Sequence, residues 1–389
     1  MKILNHSPNS IYSSFDVFPT RKGAAIHIDK FARALFEQFN GGLLYVLGNE
    51  QLPNHQIEDT IEIIRFNVTE QNYLRRALMF SENLSRLLDE CDKNLRICHF
   101  RDIWSGLAIL GRERKYKTLF EVNGLPSIEL PFLYSNIAPE TLEKIKTQEK
   151  LCLEQSDFII TPSNSIKQKV LSYGIAETKI KVIPNGAFIK PKTERPTDAP
   201  EKYLLYFGAL QTWQGIDVLL RAFARLRDLD DLFLVICASN YSRRAKLLTK
   251  LAEKLEVNDR IIWHFGLREE DLAPWRDNAL LSVAPLTECS RNIEQGCAPL
   301  KILESMASGV PVIASDLPSV REIMTDREHG RLIQPDRFGE LARVIRVLLQ
   351  YPEKLAQMGA NARQKIEKDF LWEHSIAKLK EIYVNILQN

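Results

Sequence analysis

Residues 291–316 read Arg-Asn-Ile-Glu-Gln-Gly-Cys-Ala-Pro-Leu-Lys-Ile-Leu-Glu-Ser-Met-Ala-Ser-Gly-Val-Pro-Val-Ile-Ala-Ser-Asp. The pattern is loop, helix, turn and buried strand. Arg291 to Ala298 are polar and small around Gly296, which predicts a loop. Pro299 has a fixed φ and no N–H, which suits the first position of a helix. Leu300, Leu303 and Ala307 recur at helical spacing, with Met306 beside them. Gly309 stops the helix by taking a left-handed conformation that other residues resist. The apolar run 310–314 fits a parallel strand covered on both faces. A helix N-terminus offers free N–H groups and positive potential, and so attracts phosphate. Lys301 lies beside that end. Glu304, early in the same helix, can accept hydrogen bonds from the two hydroxyls of a ribose. Together these features predict a nucleotide diphosphate site, although an ordinary amphipathic helix would share the periodicity.

Around this stretch, short apolar runs alternate with helical patterns. Strands are predicted at 2–5, 43–47, 61–66, 96–100, 118–122, 158–161 and 181–183, with helices at 24–39, 72–90, 139–156 and 164–173. Residues 191–201 hold prolines and no apolar pattern, which reads as a linker. The alternation restarts with strands at 203–207, 232–237, 260–265, 280–284, 310–314 and 331–333, and helices at 216–228, 243–255, 300–308 and 339–350. Such alternation implies α/β architecture with parallel sheets and helices on both faces. The predicted division is 1–190, linker 191–201, 202–370, and a final helix in 371–389. Two doubly wound domains form a cleft, and ligands in such sheets sit beyond the carboxyl ends of the strands.

The totals are those of a globular chain. A length of 389 residues accommodates two cores. Lys plus Arg number 52 against 50 for Asp plus Glu, so no bulk charge favours nucleic acid. None of the six cysteines forms a Cys-x-x-Cys pair, which fits a reducing cytoplasm. No apolar run approaches the ~20 residues needed to span a bilayer. The opening Met-Lys-Ile-Leu-Asn-His-Ser is polar too soon for a signal peptide and reads as a strand.

The stretch Pro-Leu-Lys-Ile-Leu-Glu-Ser-Met-Ala-Ser-Gly-Val-Pro-Val, 299–312, resembles the nucleotide-sugar signature of family 4 glycosyltransferases, whose fold is GT-B: two Rossmann-like domains facing a cleft. Glu304 matches the second of the family's two signature glutamates, the one that binds the donor ribose. The first would fall at Gly296 and is absent, so the chain is closer to a divergent Pro-x-Lys-x-x-Glu form. Gly23-Ala24 resembles part of the family's Gly-rich loop. Tyr206 to Asp217 resembles the Gly-Arg-…-Lys-Gly stretch that clamps the donor diphosphate; Gly208 and Gly215 remain, but the Arg and Lys positions are Ala209 and Gln214. The expected replacements are Lys301, Arg291 and the helix end at Pro299, Leu300 and Lys301.

In the first domain, Asn123 stands where the family often has a donor-contacting His. An amide can hydrogen-bond a sugar but cannot titrate near neutral pH, so no His-dependent acid–base role is expected there. Glu121 shares its face by strand alternation. Arg101 and Asp102 end the preceding strand and could hold an acceptor or each other. His99, inside an apolar run, reads as a satisfied core residue. Residues 125–137 read as an apolar loop with two prolines, either an acceptor lid, a lipid contact or simple packing; residues 74–80 could likewise face lipid or core.

The resemblance implies a retaining glycosyltransferase that moves a sugar from a nucleotide-sugar donor to a glycan or lipid-linked acceptor, gated by domain closure. Asn123 and Lys301 are the expected catalytic groups. Gly23, Gly208, Gln214, Arg291, Pro299, Leu300, Lys301 and Glu304 are the expected donor contacts, and Arg101, Asp102 and Glu121 the acceptor side. No cofactor or metal is expected, and Asp228-Leu-Asp230 reads as a surface helix end. The expected setting is cytoplasmic, with peripheral contact at the inner face of a membrane left open. The alternatives are a catalytically weak homologue acting as a sugar-binding or partner subunit, a dinucleotide oxidoreductase, and an epimerase or phosphorylase. The oxidoreductase lacks its Gly-x-Gly-x-x-Gly after a strand.

Overall fold

The structure is a computed structural model that describes residues 8–20, 23–91, 94–134 and 136–388. The chain forms two compact units, one ending at Pro184 and resuming at Ser375, the other spanning Asn185–His374. The strand predicted at 2–5 lies outside the described residues.

The first unit runs β1 (Ser10–Val17), α1 (Gly23–Phe39), β2 (Gly42–Leu47), β3 (His55–Glu58), β4 (Ile61–Phe66), α2 (Tyr73–Cys91), β5 (Ile97–Phe100), α3 (Ile103–Leu110), β6 (Lys117–Glu121), α4 (Pro126–Leu133), α5 (Pro139–Gln155), β7 (Phe158–Thr161), α6 (Asn164–Leu171) and β8 (Ile180–Val182). Its sheet has the order β3-β4-β2-β1-β5-β6-β7-β8. Among the described residues, only the β3–β4 pairing is antiparallel. The second unit runs β9 (Lys202–Gly208), α7 (Ile216–Phe223), β10 (Leu232–Ala238), α8 (Arg243–Lys254), β11 (Ile261–Phe265), α9 (Glu269–Asp277), β12 (Leu281–Ala284), α10 (Leu300–Ala307), β13 (Val312–Ser315), α11 (Pro318–Arg321), β14 (Gly330–Ile333), α12 (Phe338–Leu349) and α13 (Pro352–Asp369). Its sheet is parallel, in the order β11-β10-β9-β12-β13-β14. The last helix, α14 (Trp372–Gln388), contributes Ser375 onward to the first unit.

Strand alternation explains the continuous apolar runs. In β9, Leu204 and Tyr206 enter one core, while Tyr203, Leu205 and Phe207 enter a separate cluster with Trp275. Both faces are covered, so neither set needs to be polar.

Several elements depart from the sequence reading. β1, Ser-Ile-Tyr-Ser-Ser-Phe-Asp-Val, carries too many serines to read as a central strand. Its buried hydroxyls are satisfied by partners far along the chain: Ser10 Oγ donates to Gly41 O at 2.8 Å, and Ser13 Oγ to Ser105 Oγ at 2.8 Å. Residues 126–133 are a helix rather than a loop. Pro126 suits the first turn, Pro131 lies inside the helix and forfeits one i→i−4 bond, and the buried Glu149 carboxylate anchors the start by accepting from Ser127 N at 2.6 Å and Ser127 Oγ at 2.7 Å. Arg291–Gln295 form a wide π turn, not a loop. Asn292 Nδ2 holds that turn by donating to Trp213 O at 3.0 Å and Thr287 O at 2.9 Å. The stretch 191–201 belongs to the second unit, because Thr193 N and Oγ1 donate to Asp277 Oδ2 at 3.1 and 2.9 Å. The step between units therefore falls at Pro184–Asn185, earlier than the predicted linker.

Gly215 has φ +67°, and a Cβ there would lie 1.8 Å from Pro285 O. Both strain and overlap oppose any side chain. Gly215→Ala is expected to cost about 2 kcal/mol of stability, read by urea denaturation; an unchanged midpoint would contradict this packing.

Candidate functional site

In the second unit the predicted donor residues gather at the carboxyl edge of the sheet. β9 ends at Gly208, whose φ of +117° turns the chain away from the strand. A short 3-10 turn, Thr212–Gln214, follows. α10 then brings Lys301 against this turn. Lys301 Nζ donates to Tyr206 Oη at 2.8 Å and to Gln214 Oε1 at 2.6 Å. A Cβ on Gly208 would stand 3.4 Å from Lys301 Nζ, so the glycine leaves room for the ammonium. Arg291 lies over the Trp213 ring at 4.8 Å and donates to Asn292 Oδ1 at 3.2 Å. Pro299 is the N-cap of α10, with ψ 100°, rather than its first helical residue; Leu300 opens the helix. Asn185 Nδ2 donates to Ala298 O at 3.1 Å and fixes the approach to this end.

Glu304 lies about one helical turn beyond Lys301. Its carboxylate has no hydrogen-bond or ion-pair partner among the described residues. Burial raises its pKa, against the pull of nearby Arg276. That guanidinium is itself held by Glu269 Oε1 at 2.8 Å and Ser308 Oγ at 3.1 Å. Burial pushes Lys301 the other way, down to about 7, with Glu304 opposing. The two groups are thus a carboxylate with open lone pairs and a desolvated cation. Such a pair matches a ligand carrying hydroxyls at one end and phosphate at the other.

The first unit places a different cluster at its own carboxyl edge, where β1, β5 and β6 are neighbours. Glu121 is its centre and is only 1% exposed. Its Oε1 lies 3.1 Å from His27 Nδ1 and 2.9 Å from Arg101 Nε, and accepts from Asn123 Nδ2. Its Oε2 accepts from Tyr12 Oη at 2.8 Å and lies 3.2 Å from His99 Nε2. Burial alone would raise the carboxyl, but His27, His99 and Arg101 overcome it and hold Glu121 well below the usual carboxylate range. His99 is buried, and burial lowers its pKa; its Nδ1 lies 2.8 Å from Tyr383 Oη.

Arg101 and Asp102 do not pair with each other. Arg101 binds Glu121 and, through Nη1, Asp16 Oδ2 at 2.6 Å. Asp102 caps α3, accepting from Ser105 N at 2.8 Å, and also accepts from Phe15 N at 2.5 Å. Burial pushes it up to about 6 despite those bonds. Asp102 is therefore occupied as a helix cap, whereas Arg101 and Glu121, of the same expected acceptor side, share one cluster with Asn123. Gly23 opens α1, about one turn before His27. His27, Tyr206 and Arg276 went unassigned in the sequence. Only His27 left a signal, a polar residue one turn inside a helix that begins at the glycine.

The model described as Glycosyltransferase Family 4 matches residues 21–188, and that described as Glycosyl transferases group 1 matches residues 189–365. The chain belongs to the family 4, group 1 glycosyltransferases. This is a family of sugar-transferring enzymes. Among curated relatives, the MMP alpha-(1->4)-mannosyltransferase of Mycolicibacterium hassiacum is 26% identical over 61% of this chain and 56% of its own length. The D-inositol 3-phosphate glycosyltransferase of Xylanimonas cellulosilytica is 25% identical over 63% of this chain and 60% of its own. The matched stretch thus spans less than two thirds of either relative. Among solved structures, sucrose-phosphate synthase from Thermosynechococcus elongatus superposes with a TM-score of 0.79 at 18% identity, covering 98% of this chain and 99% of that one. Anabaena HepE, in complex with UDP and glucose, gives 0.74 at 16%, covering 97% and 99%. These likenesses establish the GT-B fold for the family 4 chain.

Glu121→Gln would leave Arg101 and two imidazoles around a neutral amide. The expected loss is about 3 kcal/mol at pH 7. Glu121 has a depressed native pKa, so its contribution is fully present above its unfolded value of 4.5 and is lost as pH falls through the lower native value. The stability gap between wild type and variant should therefore narrow below that pH in urea titrations; a gap that stays constant would contradict the assignment.

Proposed function

We propose that this chain transfers a sugar, with retention, from a nucleotide-activated donor to an acceptor hydroxyl in glycan, polysaccharide or glycolipid biosynthesis. The observation that carries the reading is α10: one short helix presents Lys301 to the Gly208–Gln214 turn and leaves the Glu304 carboxylate without a hydrogen-bond partner. Glu304 accepts the ribose hydroxyls. Lys301, with Arg291 and the end of α10, faces the diphosphate. As the anomeric C–O bond breaks, negative charge grows on the departing diphosphate, and a fixed cation stabilises that charge more than the ground state. Lys301 takes over for the Arg and Lys that Ala209 and Gln214 replace, and Gln214 serves to hold it. The acceptor belongs to the first unit, and there Asn123, whose N–H the Glu121 carboxylate takes, keeps its amide oxygen for a hydroxyl of the transferred sugar. The reading requires no resident metal or cofactor.

No helix among the described residues is long and apolar enough to cross a membrane. Leu78 and Met79 on α2, and Leu133 and Tyr134 at the end of α4, are 40–53% exposed. They are the surface through which a lipid-linked acceptor would bring the chain into peripheral membrane contact. The reading as a catalytically weak partner subunit gains no support, because the ribose carboxylate and a diphosphate-facing cation are both present.

Thermal-shift screening against UDP, GDP, ADP and their sugars tests the donor site and identifies the base. At least one nucleotide sugar should raise Tm, and Lys301→Ala should weaken it roughly tenfold. Unchanged affinity in that variant would overturn the role of Lys301. Lys301 without ligand releases its proton near pH 7, so binding an anion at higher pH requires proton uptake. Nucleotide-sugar affinity should accordingly fall from pH 6.5 to 8.5, and calorimetry on Lys301→Gln should show that slope flattened.

A further inference from the structure

Apart from the Glu121 cluster, the first unit holds a cavity of about 650 Å³. One wall is the turn into α2, which follows the carboxyl end of β4; the other is Leu133 and Tyr134 at the end of α4 with Asn136 to Ala138 and Thr141 at the start of α5, beyond β6. The cavity therefore lies on the edge of the sheet where ligands of doubly wound folds bind. None of its ten lining residues carries a charged side chain. Gln71, Asn72, Asn136 and Thr141 supply amides and a hydroxyl, which both donate and accept. Tyr73 and Tyr134 supply two rings with centroids 5.6 Å apart, tilted by 46°. Tyr73 is held in place: Trp104 Nε1 donates to its hydroxyl at 3.1 Å, and its ring meets Phe15 edge-on at 5.5 Å. Tyr134 is 42% exposed, so much of its side chain remains open to a ligand.

A neutral sugar presents the complementary pair of surfaces. Its hydroxyls need partners that both donate and accept, and its C–H face packs on aromatic rings. A phosphorylated acceptor would find no cation on these walls. We propose that this cavity is the acceptor subsite and that it takes an uncharged sugar or short neutral glycan. The assignment rests on the sugar-transferase reading above. It differs in kind from the acceptor implied by the name of the inositol 3-phosphate relative.

Saturation-transfer NMR on the full chain tests this with methyl glycosides of glucose, mannose and galactose, neutral disaccharides of each, and the corresponding 6-phosphates. At least one neutral probe should bind and should bind no more weakly than its phosphate. Tyr134→Ala should weaken that probe about fivefold, while Tyr134→Phe, which keeps the ring, should stay within about twofold. Absence of binding by every neutral probe, tighter binding of the phosphates, or indifference to Tyr134→Ala would each overturn the proposal. The nucleotide thermal shift is measured on the same preparations. A nucleotide response without neutral-sugar binding defeats this subsite alone, whereas loss of the nucleotide response defeats the transferase reading.

Discussion

Covering a parallel sheet with helices on both faces leaves little room for polar groups except at the strand ends. In each unit the charged and hydrogen-bonding side chains accordingly collect at the carboxyl edge. Tyr12, Asp16, Arg101 and Glu121 do so in the first unit, and Tyr206, Gln214, Lys301 and Glu304 in the second. The strands are thereby free to be apolar throughout, and the loops carry the chemistry.

The two edges solve opposite electrostatic problems. Glu121 is desolvated but surrounded by donors, so the charged form wins and the carboxylate becomes a rigid hub. Lys301 is desolvated and hydrogen-bonds only neutral acceptors, and the nearby Glu304 only partly offsets that burial, so its charge is held weakly. A hub suits positioning, whereas a weakly held cation suits a ligand that brings its own negative charge. The contrast comes from what surrounds each group, donors and cations around Glu121 and neutral acceptors around Lys301.

Replacement of the family's clamp residues is also accounted for by geometry. Gln214 cannot neutralise a phosphate, but its carbonyl oxygen fixes Lys301 from 2.6 Å. Gly208 keeps the space beside that ammonium open, and Asn185 and Asn292 pin the loop that leads to it. Under the proposed function, the positive charge that the β9 loop lacks is supplied by Lys301 on the helix.

Much of this was legible in the residues alone. Period-3.6 and continuous apolar runs located most strands and helices of both units, and Pro299, Leu300, Leu303 and Gly309 marked the helix that carries Lys301 and Glu304, because caps and periodicity are local signals. The π turn at 291–295, the helix containing Pro131 and the serine-rich β1 were not legible, since each is stabilised by partners distant in sequence. The same holds for side-chain pairing: Arg101 stands next to Asp102 in the chain, yet it pairs with Glu121 and Asp16 while Asp102 caps a helix. Local sequence determined which backbone elements could form and where their chemistry-bearing residues would lie. Only the tertiary structure decided which of those residues are occupied with one another and which, like Glu304, remain available, because buried polar groups choose partners by proximity in space.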